Sequence, residues 1–138
     1  MNTTSYNKPL PRITATNKPF WDAARQHEVR MPRCKSCGQL SYPIAPHCLH
    51  CWSDSFEWAR LSGRGKVNGF TIYHQAFHEA YRDNVPYNVV EVELEEGPRL
   101  VSNLVGVKNE EIEVGMPVVA YFDDVTPGIT LIKFKPAS

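Results

Sequence analysis

Four cysteines stand close together in this 138-residue chain, as Cys34-Lys35-Ser36-Cys37 and Cys48-Leu49-His50-Cys51, and the rest of the sequence holds none. Two C-x2-C pairs set four soft sulfur donors on two tight turns, the arrangement Zn²⁺ requires for a tetrahedral site with bonds of about 2.3 Å. Each turn also aims backbone N–H groups at the sulfurs, which offsets their negative charge. Gly38, directly after Cys37, supplies the backbone freedom that such a turn needs. The ten residues between the pairs are fewer than the more usual spacer of about fifteen to twenty, yet enough for the excursion of a zinc ribbon. Four thiolates leave no open coordination position, so the expected zinc is structural: it holds together a lobe too small to build a core of its own. Other readings of the cysteines carry less weight. Two disulfides need an oxidising compartment, and a redox C-x-x-C does not ordinarily come twice. Rubredoxin-type iron uses the same donors, and His47 and His50 flank the ligands as substitute donors.

Around this window the sequence lays out a short helix and a run of strands. Asn17 is a candidate N-cap with Pro19 in the first turn, and a helix over 20–27 places Phe20, Ala24 and His27 on one face with Trp21 beside them. That apolar face needs a surface to lie on, either the chain's own core or a partner subunit. Val29 and Met31 alternate with Arg30 and Pro32 in an extended run into Cys34, and residues 52–62, with Trp52, Phe56, Trp58 and Leu61, can return as a strand. From Gly63 the apolar period becomes two, and strands are expected over 66–74, 90–95, 100–105, 117–122 and 129–134. Glu95-Glu96-Gly97-Pro98 turns the second into the third as a hairpin, and Gly63, Gly65 and Gly69 let the first coil sharply. Five antiparallel strands without an intervening helix fit a small OB-fold barrel, with residues 75–86 as a long loop of the kind that faces ligands in OB-folds. The expected fold class is mainly β: a short N-terminal helix, a four-cysteine zinc ribbon, then a five-stranded OB-fold barrel. The expected units are 1–28, 29–62 and 63–138.

Fifteen basic residues balance fifteen acidic ones, which excludes a protein that holds nucleic acid by bulk charge. The balance conceals a gradient: residues 1–33 carry a net +4 and residues 63–138 a net −4. No apolar run approaches the length of a membrane span. Met1 to Leu10 lack the apolar core of a secretion signal, which points to a cytoplasmic protein. His74, His78 and Glu79 sit near the end of the first barrel strand without a third ligand at a recognisable spacing. No nucleophile elbow, P-loop or dinucleotide fingerprint occurs, and no catalytic constellation emerges. Phe70, Tyr73, Phe77, Tyr81 and Tyr87 are aromatic enough to stack a base, with core packing the preferred role for Phe70 and Tyr87.

Together these features resemble one family: the acyl-CoA-associated zinc-ribbon/OB-fold proteins, described as rubredoxin-like plus OB and long listed as a domain of unknown function. The resemblance runs from Phe20-Trp21-Asp22-Ala23-Ala24 through Arg33-Cys34 to Cys51, with Tyr42-Pro43 between the cysteine pairs. It continues in Gly63-Arg64-Gly65-Lys66-Val67 and Pro86-Tyr87. It is clearest from Glu91 to Gly106 and closes at Val114-Gly115-Met116-Pro117-Val118. It implies a non-catalytic accessory subunit that partners a thiolase-like acyltransferase or aldolase, or a hydratase, and helps to bind or channel acyl-CoA. It also implies that Cys34, Cys37, Cys48 and Cys51 hold structural zinc. A CoA ester needs only a few cations for its phosphates; Arg60, Arg64 and Lys66 at the ribbon–barrel junction, with Tyr73, are the candidate ligand residues. The competing reading is a single-stranded nucleic-acid binder, since zinc ribbons and OB-folds both serve that role. The acidic barrel region argues against it.

Overall fold

The computed structural model describes residues 10–42, 44–75 and 85–137. One helix, α1 (Lys18–Arg25), precedes a two-stranded antiparallel ribbon of β1 (Val29–Cys34) and β2 (Phe56–Leu61), paired from Val29↔Leu61 to Cys34↔Phe56. The barrel follows as β3 (Arg64–Tyr73), β4 (Tyr87–Leu94), β5 (Arg99–Ser102), a 3₁₀ turn (Asn109–Glu111), β6 (Pro117–Thr126) and β7 (Ile129–Pro136). Its strand order is β5-β4-β3-β6-β7, with every neighbouring pair antiparallel. Past the end of β5, Leu104 forms a parallel bridge with Phe134 of β7. The Phe134 N–H donates to Asn103 O at 3.0 Å and the Val105 N–H to Phe134 O at 2.8 Å. The five strands are thereby nearly closed into a barrel of the OB type.

The helix starts at Lys18 and stops at Arg25, two residues short of the expected end, because His27 adopts φ +60. Asn17 stands at the cap position, but its side chain faces away from the helix. Its Oδ1 accepts the Thr14 N–H at 2.7 Å and its Nδ2 donates to Arg12 O at 3.1 Å. Phe20, Ala23 and Ala24 are buried, and α1 lies across β1 of the ribbon and β6 and β7 of the barrel. The apolar face of the helix is therefore spent on the chain's own core. That core is continuous from Phe20 and Met31 through Leu61 and Val67 to Val92 and Phe134.

Four of the five barrel strands lie where the period-two pattern puts them, and β4 alternates strictly, with Asn88, Val90, Val92 and Leu94 inward. The third is shorter than expected. Beyond Ser102 the buried Asn88 side chain replaces the ladder: its Oδ1 accepts the Leu104 N–H at 2.7 Å and its Nδ2 donates to Leu104 O at 2.9 Å. Gly65 is required for packing, since a Cβ there would overlap the backbone carbonyl of Glu93 on the paired strand. The β4–β5 hairpin turns at Glu95–Pro98 as expected, closed by Leu94 N–H to Pro98 O at 2.9 Å.

Candidate metal centre

Each cysteine pair sits on a turn of the same construction. In the first, β1 delivers Cys34, whose sulfur accepts the Cys37 N–H at 3.4 Å, while the Gly38 N–H reaches Cys34 O at 2.8 Å. In the second, the His50 N–H points at the Cys48 sulfur at 3.3 Å and the Trp52 N–H reaches Cys48 O at 2.9 Å. Cys34 and Cys48 are buried, and Cys37 and Cys51 are exposed. The sulfurs of Cys34 and Cys51, and those of Cys37 and Cys48, are 3.6 Å apart. All four lie within 4.8 Å of one another. A tetrahedron with Zn–S bonds of about 2.3 Å has edges of roughly 3.8 Å, whereas a disulfide needs about 2.05 Å. The donor set fits zinc, and all four cysteines are free thiols.

The electrostatics explain why a cation belongs there. The N–H of Cys37 is the chief cause that holds the Cys34 thiol down to about 6. Burial works against ionisation of Cys48, but the N–H groups of His50 and Cys51 overcome it and lower its pKa. Cys51 goes the other way: the Ser53 N–H pulls it down, but the Cys34 sulfur, burial and the remaining sulfurs outweigh that and push it up to about 12. Four thiols this close cannot all ionise unaided, and a dication supplies the missing charge. Neither His47 nor His50 joins the donor group; the His47 ring packs instead 5.9 Å from Trp52.

Trp52 is a residue that sequence reasoning missed. It repeats the position of Gly38, one residue past the second cysteine of its pair, and both are left-handed, at φ +80 for Gly38 and +65 for Trp52. A bulky L-residue is strained there. The indole is 76% exposed and gains little packing in return. Trp52→Gly is expected to raise stability by about 0.5–1 kcal/mol. Urea midpoints of the zinc-loaded proteins check this; a loss on substitution would mean that the indole is held by contacts that matter.

A second missed feature ties the helix to the barrel. His27 stacks on Phe122 at 5.0 Å, and its Nε2 lies 3.1 Å from both carboxylate oxygens of Asp124, which also accepts the Thr130 hydroxyl. Ninety-seven residues separate the pair, so no local motif announces it. The Thr130 hydroxyl first, and His27 second, hold the Asp124 carboxyl below the usual carboxylate range. A depressed folded-state pKa means that the tie contributes above the pKa of the unfolded carboxyl and is lost as the pH falls through the folded one. Melting temperature is expected to fall on acidification below about pH 4, and Asp124→Asn to flatten that part of the profile. Equal acid slopes for the two proteins would contradict the assignment.

The candidate ligand residues are dispersed. Arg60 borders a junction cleft of about 130 Å³ with His27, Glu28, Ser62, Gly63 and Phe122. Its guanidinium is 3.7 Å from Glu28, which Arg30 also holds at 2.8 Å. Lys66 borders a different hollow of about 500 Å³, beside Glu93 and Glu95, and pairs with Glu93 at 3.7 Å. Arg64 is exposed and borders neither. Tyr73, at the far end of β3, stacks on Tyr87 at 5.3 Å. Phe70 is 39% exposed, so it is not the core residue the pattern suggested. Glu91 and Glu93 form a charged outer face with Arg99. Phe77, His78, Glu79, Tyr81 and Pro43 lie outside the described residues.

A helix-backed ribbon with four clustered cysteines, running into a nearly closed five-stranded barrel, defines a zinc-ribbon/OB-fold protein. Residues 21–57 match the family model described as the ChsH2 rubredoxin-like zinc ribbon domain, and residues 58–123 the ChsH2 C-terminal OB-fold domain. The chain belongs to this ChsH2 (DUF35) family. Across 94% of its length it is 39% identical to a probable enoyl-CoA hydratase alpha subunit of Thermomonospora curvata, and it spans only 40% of that protein. It is 32% identical to the benzoylsuccinyl-CoA thiolase subunit BbsA of Thauera aromatica, over 75% of this chain and 71% of BbsA. Among solved structures it matches a chain of the Ltp2-ChsH2(DUF35) aldolase with a TM-score of 0.84 and 39% identity, covering 94% of this chain and 100% of that one. These relatives are subunits of hydratase, thiolase and aldolase assemblies. Among the described residues no helix is long and apolar enough to cross a membrane.

Proposed function

We propose that this chain is a non-catalytic accessory subunit. It docks on a thiolase-like acyltransferase or aldolase, or on a hydratase, in the cytoplasm and helps to bind or channel the acyl-CoA on which that enzyme acts. The observation that carries the reading is the match to the aldolase-associated chain over that chain's whole length. Cys34, Cys37, Cys48 and Cys51 hold a structural Zn²⁺ whose coordination is filled by protein, so the metal supplies rigidity and no Lewis-acid step. Residues 1–28, 29–62 and 63–138 act as arm and helix, ribbon and barrel.

The division of labour is tested by assay. The purified chain alone is expected to turn over no acyl-CoA, while the enzyme that co-purifies with it is active and loses activity or substrate affinity when the chain is removed. Turnover by the isolated, zinc-loaded chain would refute the accessory role.

A further inference from the structure

A residue pair outside the ribbon carries chemistry of its own. Asn68 is the one asparagine of the chain that glycine follows; the others precede Thr, Lys, Val, Leu or Glu, whose side chains shield the next backbone nitrogen. Glycine has no Cβ and bends freely, so in an Asn-Gly step the glycine nitrogen can reach the side-chain carbonyl carbon. The placement in β3 favours this approach. Asn68 is the extra residue of a β-bulge: the register passes from Val67↔Val92 to Gly69↔Glu91 and gives Asn68 no partner across the ladder. A bulged residue departs from the extended backbone, often toward the right-handed helical region. On the other side, the β3–β6 ladder ends at Lys66↔Pro117, so residues 68–72 form ladder pairs with β4 alone. A segment paired on one side opens locally without global unfolding. Asn68 is also exposed. The fold makes no demand for glycine at position 69, because its φ is not left-handed and a Cβ there would meet nothing within 4 Å.

We infer that Asn68-Gly69 is a self-modifying site, which deamidates in the folded protein. The Gly69 nitrogen attacks Asn68 Cγ, the new N–C bond closes a succinimide ring, and the Cγ–Nδ2 bond breaks. The Gly69 N–H proton leaves with the side-chain nitrogen as ammonia. Water then opens the ring at either carbonyl and leaves aspartate or isoaspartate at position 68. Water is the sole co-reactant, and nothing is oxidised or reduced. The surroundings decide what the change does. Asn68 Nδ2 donates to Glu91 Oε1 on β4. Around this bond the outer face is balanced: Arg99 lies 4.0 Å from Glu91 and 3.6 Å from Glu93, and Lys66 lies 3.7 Å from Glu93. Deamidation replaces the donor with an anion set against Glu91, so that three negative groups share the two cations. Like charges on paired strands repel. Isoaspartate also adds a methylene to the main chain of β3 and displaces residues 69–73 against β4. The modification thereby loosens the β3–β4 arm that carries the stack of Tyr73 on Tyr87.

The test is peptide mapping by mass spectrometry of the full zinc-loaded chain, aged at mildly alkaline pH and body temperature, with electron-transfer fragmentation to tell isoaspartate from aspartate. Acid at position 68 is expected to accumulate at least about tenfold faster than at Asn88 or Asn103, whose side chains are hydrogen-bonded within the barrel. Gly69→Ala is expected to slow the change at least about tenfold. It leaves the melting temperature of fresh protein no lower, because the added methyl enters open space. Asn68→Asp, made directly, is expected to melt roughly 1–4 °C below wild type. A folded wild type that keeps its Asn68 amide, while the same chain in urea loses it, would overturn the inference. Equal rates in wild type and Gly69→Ala would overturn it too. An Asn68→Asp protein that melts no lower than wild type would overturn the loosening of the arm.

Discussion

Cys48→Ser strips the ribbon of its metal and unfolds it. Cys48 is fully buried, its sulfur lies under the His50 N–H, and its own N–H is tied to Ser53 O at 2.7 Å. Cys34 ends β1, and the residues that join β1 to β2 contain the other three cysteines and only scattered apolar side chains, Leu40, Tyr42 and Ile44 among them, packed on the rim of the core. Without four sulfurs on one cation, nothing of comparable strength closes this excursion. Structural zinc contributes an apparent 10–16 kcal/mol or so in small zinc domains, as much as the whole stability of an ordinary fold, at about 5–15 kcal/mol. Elemental analysis is expected to find one zinc per wild-type chain and almost none in the variant, and hydrogen exchange to show loss of protection over residues 29–62. A strong chelator acting on the wild type reproduces both. A variant that keeps its protection without metal would show that the ribbon stands on its packing.

Phe134→Ala is the second large loss. Phe134 is the bulkiest of the fully buried side chains, and its backbone carries the rung that joins the two ends of the barrel sheet. Truncation to alanine leaves a cavity where β7, β5 and the 103–105 segment meet, at a cost of about 3–5 kcal/mol. For a chain of this size that is a fall in melting temperature of roughly 10–20 °C. Denaturant unfolding of the zinc-loaded proteins measures it. A cost below about 1 kcal/mol would mean that the barrel end closes up around the gap.

The metal centre was legible because its information is local: two C-x2-C pairs and a glycine fix both the turns and the donors. The barrel was legible because period-two alternation, clearest in Val90, Val92 and Leu94, survives intact in antiparallel strands, and because Gly97-Pro98 can only turn. What escaped depends on pairs far apart in the chain. Asn88 ends β5 early by bonding both backbone groups of Leu104, and nothing near either residue says so. His27 meets Asp124 only once α1 has settled on the barrel. By composition Trp52 reads as an apolar residue on the way into a strand, whereas the repeat of the Cys37-Gly38 step at Cys51-Trp52 is the signal of a left-handed position. The dispersal of Arg60, Arg64, Lys66 and Tyr73 has the same origin: closeness in sequence does not survive the passage from β2 of the ribbon to β3 of the barrel, nor the length of β3 itself.

The accessory-subunit account is tested most directly by tagged purification from the native host, with the co-purifying proteins identified by mass spectrometry. The account predicts a thiolase-like enzyme, an aldolase or a hydratase recovered in fixed ratio to the tagged chain and retained through a salt wash. RNA or ribosomal proteins that wash off with salt, with no such enzyme, would contradict it.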